Sequence, residues 1–251
     1  MKKNMLKVTF LLLSVIAFSS NTNATIIVSG DATIALSLNS KLIPYFSAGD
    51  QQFFENILSG TTDIAILDQS GTNVYANQIN QFYKSLGDIN LSTTASVTAA
   101  SVANTDMLII PLPKSMFSND EMVIMNSYIQ GGGSVFFLGE SLNSSINNLI
   151  INQMLLGIGS SMSIENNILD PGPNISSAVG AQKVEGNPYT DNVFNFKYAQ
   201  VSSVNGGNPL FLTTGMTPFI AYEPSNSVPE PSMVLLFLIT IPGLLLIRKK
   251  N

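Results

Sequence analysis

Three acids and a serine are the residues of this chain best placed to do chemistry. Asp31, Asp68 and Glu140 each stand just beyond a short apolar run, and Ser141 follows Glu140. If those runs are parallel strands, their carboxyl ends converge on the binding crevice of an open α/β sheet. Three carboxylates gathered there could hold Ca²⁺ or Mg²⁺, whose hard oxygen coordination needs neither His nor Cys. Two carboxylates are enough for glycoside cleavage. The competing reading is that each acid caps the next helix or bonds nearby backbone. Ser141 needs a base to become a nucleophile, and no Lys or carboxylate is spaced to supply one, so a turn or cap role is the expectation for it.

The composition removes most other chemistry. The 251 residues include no Cys and no His, which excludes disulfides, thiolate metal sites, a Cys nucleophile and the commonest general base. The formal net charge is −5 from 11 basic and 16 acidic residues. Lys2, Lys3, Lys7, Arg248, Lys249 and Lys250 sit at the two ends, leaving Lys41, Lys84, Lys114, Lys183 and Lys197 between them. Nucleic acid is not an expected partner, because gripping its phosphates takes clustered Lys and Arg.

Both ends carry addresses. Lys2, Lys3 and Lys7 precede an apolar run over residues 8–18, and small residues at Thr22 and Ala24 follow. That order is a secretory signal peptide, read by the Sec export machinery and cut after Ala24. At the other end Val228, Pro229, Glu230, Pro231 and Ser232 lead into an uncharged run over residues 233–247, closed by Arg248, Lys249 and Lys250. As a helix this run is about 22 Å long, short of a hydrocarbon core of about 30 Å, so it spans only with its flanks. The basic stop keeps its end cytoplasmic and places the rest of the chain outside. A permanent membrane anchor satisfies these facts. The V-P-E-P-S string, apolar helix and basic cluster, in that order, resemble the PEP-CTERM sorting signal of exported bacterial proteins. The resemblance implies removal of the tail by an exosortase-type membrane protease, by the logic of other cleaved hydrophobic tails. It also implies exopolysaccharide as a partner and the cell surface or extracellular matrix as the destination.

Between the addresses, apolar strand runs alternate with helical spacings. Strands are expected at residues 25–29, 64–67, 107–110 and 135–138, the last apolar on both faces as in a covered parallel sheet. Helices are expected from Asp50 as N-cap through Phe53, Phe54 and Ile57, through Ile79 and Phe82, and through Met122, Met125 and Ile129. The third opens on a Ser118/Glu121 capping box with Phe117 and Met122 as a staple, and stops at Gly131–Gly133. A fourth runs from Asn143 through Ile146 and Leu149 to Leu156. Phe194, Phe196 and Tyr198 alternate as a half-buried strand would, and residues 171–186 read as an exposed loop. The expected fold is therefore an α/β, flavodoxin-like three-layer sandwich with a mainly parallel sheet, plus a C-terminal hydrophobic helix. It divides the chain into a signal peptide (1–24), an α/β domain (25–223), a Pro-rich linker (224–232) and a sorting helix with basic tail (233–251).

Residues 106–140, reading D-M-L-I-I-P-L-P, F-S-N-D-E and Y-I-Q-G-G-G-S-V-F-F-L-G-E, are similar to the centre of class I glutamine amidotransferase-like domains. In catalytic members of that family a Cys follows the second strand and a His comes later. Gly139, Glu140 and Ser141 occupy that turn here, so the resemblance implies the fold without the activity. The leading expectation is an exported protein with a non-catalytic binding or structural domain. A carboxylate-dependent hydrolase of extracellular polysaccharide, or a plain membrane-anchored protein, is the alternative.

Overall fold

A computed structural model describes residues 24–38, 48–141, 145–169 and 178–225. The signal-peptide run, the sorting motif from Val228 to Ser232, the apolar run 233–247 and Arg248, Lys249 and Lys250 lie outside the described residues. Among those described, no helix is long and apolar enough to cross a membrane.

The chain is α/β with a large, mostly parallel sheet. Strands β1 (Thr25–Ser29), β2 (Asp63–Leu67), β3 (Asn90–Thr94), β4 (Met107–Pro111) and β5 (Ser134–Leu138) run parallel in the order β3-β2-β4-β5-β1. Strand β12 (Pro218–Pro224) then adds antiparallel to β1, followed by β11 (Asn208–Leu212) and β8 (Gln182–Lys183), also antiparallel. Alternate strand residues enter two separate apolar clusters, one on each face. Ile27, Ile64, Ile66, Ile109 and Phe136 join the first, while Val28, Ala65, Leu67, Leu108, Ile110 and Phe137 join the second. Successive side chains of a strand point to opposite faces, so runs apolar at every position require cover on both.

Helices α1 (Ala48–Asn56) and α2 (Val74–Leu86) pack into the first cluster, whereas α3 (Ala99–Val102), α4 (Asn119–Gln130) and α5 (Ile146–Gly157) pack into the second. Phe53 of α1 is the hub of the first, meeting Phe54, Phe136, Phe196 and Phe211 edge-on at centroid distances of 5.2–6.0 Å. Helix α4 starts as expected, with Ser118 and Glu121 satisfying each other's backbone N–H groups and Phe117 and Met122 both against the second cluster. It stops at Gly131, after which Gly132 takes φ 99° and its N–H and that of Gly133 return to Ile129 and Tyr128.

Some expectations fail locally. Asp50 lies inside α1 rather than capping it, and its buried carboxylate accepts the Lys197 N–H at 3.1 Å. Phe194 does not share the inward face of Phe196 and Tyr198: Asn195 has φ 59°, which breaks the alternation, and Phe194 lies 67% exposed beside the Lys183 ammonium. Residues 178–186 are not a plain loop, since β7 (Val179–Gly180) and β8 pair with β9 (Lys197–Tyr198) and β11. Residues 170–177 lie outside the described residues.

Candidate functional site

The chain diverges beyond β1 and β5, which are neighbours in the sheet. After β1 it turns to the first face, through a 3-10 helix at Thr33–Leu38 and α1; after β5 it turns to the second, into α5. Divergence of this kind opens a crevice at the carboxyl ends of parallel strands. Asp31 and Glu140 stand at its two sides.

Asp31 is buried and its position is fixed locally. The Ser29 hydroxyl donates to the Asp31 carbonyl at 2.8 Å, and the carboxylate accepts the Thr33 N–H at 2.7 Å and the Thr33 hydroxyl. Burial pushes the carboxyl up to about 7 from 3.8; the Thr33 hydrogen bonds oppose the shift, and the charge of Glu140 adds to it. Glu140 is half-buried, and Asn148 clamps its backbone, accepting its N–H at 2.7 Å and donating to its carbonyl at 2.7 Å. Its carboxylate accepts from Asn147 at 2.9 Å and Ser145 at 3.2 Å, at the start of α5. Tyr75, in the first turn of α2, joins the pair. Burial raises its phenol above the ordinary tyrosine value, and the charges of Asp31 and Glu140 raise it further. Nothing in the spacing of Tyr75 singled it out, because its relation to the two acids comes from the packing of α2 against the 3-10 helix that follows Asp31.

Asp68 is spent elsewhere. At the end of β2 its carboxylate accepts Ser70 N–H and hydroxyl at 3.1 and 3.0 Å and the Asn73 N–H at 3.2 Å, holding the turn into α2. The three-acid metal site therefore does not assemble: among the described residues no group of three Asp or Glu could hold a metal ion. Asp31 and Asp68 accept backbone N–H groups of the turns that follow them, the role that competed with a shared site, whereas the Glu140 carboxylate is held by the side chains of Ser145 and Asn147. Ser141 is buried beside Glu140.

The crevice between β1 and β5 is filled by the chain itself. Ser202 N–H donates to the Gly30 carbonyl at 3.0 Å, and its hydroxyl donates to the carbonyls of Asn167 at 2.7 Å and Glu140 at 3.1 Å. The approach requires glycine, since a Cβ on Gly30 would lie 1.9 Å from the Ser202 carbonyl oxygen. An open concavity of about 850 Å³ lies at the opposite pole, where strand amino ends meet Thr61, Asp106, Tyr128, Gly131 and Tyr189. It holds none of the three acids. Asp106 there accepts from Thr61, and the Tyr128 hydroxyl donates to the Ser134 carbonyl at 3.0 Å.

No protein-family model and no curated protein matches this chain. Among solved structures it is similar to the mmIFT52 N-terminal domain, at 12% identity and a TM-score of 0.46, covering 70% of this chain and 98% of that one. It is also similar to IMPa from Pseudomonas aeruginosa, solved in complex with an O-glycopeptide, at 12% identity and a TM-score of 0.37; that match covers 55% of this chain and 16% of the other.

Proposed function

We propose that this chain is an exported bacterial cell-surface or extracellular-matrix protein, sorted and cleaved at its PEP-CTERM-like tail by an exosortase-type membrane protease. Its α/β domain, in this reading, is a flavodoxin-like, amidotransferase-like unit that binds or scaffolds, with exopolysaccharide as the natural partner. The observation that carries the sorting reading is the order of Val228-Pro229-Glu230-Pro231-Ser232, an uncharged run and Arg248-Lys249-Lys250. The non-catalytic reading draws support from the crevice: Asp31 is buried, Glu140 and Asp68 hold turns and helix starts, and Ser202 fills the gap between strands.

Mass-spectrometric mapping of both termini of the protein recovered from its host tests the sorting. A start at Thr25 and an end between Pro229 and Ser232, in the medium or surface fraction, is the expected result. An intact end at Asn251 in the membrane fraction would replace sorting by a plain anchor. One observation favours the hydrolase alternative: Asp31, its carboxyl raised to about 7, stands within electrostatic reach of Glu140, and a raised acid beside a second carboxylate is a glycosidase pattern. Polysaccharide cleavage lost in both Asp31→Asn and Glu140→Gln would establish that alternative; retention of soluble polysaccharide without cleavage fits the binding module.

A further inference from the structure

Helix α5 has no ionisable side chain in its twelve residues, INNLIINQMLLG. Ile150, Ile151, Met154 and Leu155 face the second core cluster. The outer face is also apolar: Ile146, Leu149 and Leu156 are 61%, 52% and 78% exposed, and exposed Gln153 completes their 3-4-3 spacing. Single exposed apolar residues are ordinary, but this spacing on an uncharged helix is the seam that receives another helix. Helix α4 lies alongside, its Asn126 donating to the Gly157 carbonyl at 3.2 Å, and adds Val123, 65% exposed. Neither helix offers a Lys or Arg to an anionic lipid surface.

The chain leaves the described fold beside this stripe. Glu223, near the end of β12, accepts from Ser160 hydroxyl at 2.7 Å and Ser161 N–H at 3.0 Å, in the turn that ends α5. Two residues later Ser225 donates to the Ala24 carbonyl at 2.8 Å. Residues 226–232 reach about 25 Å when extended, enough to turn back along α5. The uncharged run 233–247 would be about 22 Å long as a helix against about 18 Å for α5.

We propose that the apolar segment 233–247 docks antiparallel on the outer stripe of α5 at Ile146, Leu149 and Leu156, so that the domain shelters its own tail until a membrane takes it. The proposal rests on the sorting reading in one respect: it describes the chain before its tail is cut. The absence of native Cys makes disulfide capture a clean test. In the full chain, Gln153→Cys is combined in turn with Leu235→Cys, Leu236→Cys, Phe237→Cys, Leu238→Cys and Ile239→Cys, and oxidised in detergent-free buffer. The expected result is a disulfide within one chain, its yield peaking at positions three or four residues apart and falling at least tenfold when Leu149→Asp and Leu156→Asp are added. Bonds only between chains would make a second copy the occupant and overturn the proposal. So would no bond, or a flat yield that ignores the two Asp substitutions, which is the signature of a tether without docking. Capture by Leu12→Cys in place of the tail positions would make the leader the occupant and overturn it as well. The sorting reading fails separately, through the mapped termini.

Discussion

At Asp31 the burial that fixes the crevice also sets a pH dependence. Its folded value of about 7 lies above the 3.8 of an unperturbed carboxyl, so the folded state holds a proton that the unfolded chain releases. The corresponding stability is fully present below about pH 4 and is lost as pH rises through about 7, an effect of up to roughly 4 kcal/mol. Asp31→Asn, which keeps an acceptor and a donor for Thr33, should flatten that dependence and stabilise the protein at pH 8 by about 1–3 kcal/mol, read from urea titrations at pH 5 and pH 8. Gly30→Ala tests the other side of the same contact. Its Cβ would meet backbone, not a flexible side chain, so a loss of more than about 3 kcal/mol or failure to fold is expected in a thermal melt. The sequence placed Asp31, Asp68 and Glu140 at strand ends because strand periodicity is local. It could not show that Ser202 fills the gap between two of them, since that contact depends on the long-range pairing of residues 201–205 with residues 163–169.

Among the elements, α4 and α1 draw their stability from different sources. The start of α4 is specified by a few consecutive residues, and Glu121 also accepts the Val97 N–H at 3.2 Å, tying the helix to the segment before α3. Ser118→Ala should cost about 1 kcal/mol in urea unfolding. Helix α1 is short and depends on its aromatic contacts, so Phe53→Ala should cost about 3–5 kcal/mol by the same measurement. The contrast explains which elements were legible in sequence. Capping boxes, glycine stops and alternating apolar runs are written within a few residues, and α4, β4 and β5 follow them closely. Asp50 has the residue type of a cap, while the Lys197 N–H that it accepts is distant in sequence. Asn195 concealed the break after Phe194, because polar residues alternate with aromatic ones whether or not the backbone stays extended.

For the whole molecule, one sheet separates two apolar clusters, and neither face can be exposed without stripping the other. Unfolding in urea should therefore be a single transition, with tyrosine fluorescence, which samples Tyr83 and Tyr198 on one face and Tyr128 on the other, coincident with far-ultraviolet circular dichroism. Two separated transitions would show that the faces fold independently. The parallel half of the sheet could be read from strand–helix alternation, whereas the insertion of β12 beside β1 could not, because antiparallel pairing between the first and last strands leaves no local mark. That pairing brings Ala24 and Ser225 together at one end of an antiparallel ladder. A pull on those two residues would load the hydrogen bonds between β1 and β12 one after another from the open end, as a zipper parts, instead of shearing the ladder all at once. The domain is consequently soft along the axis on which a tether at both ends would pull, and a chain held by its tail alone leaves that seam unloaded.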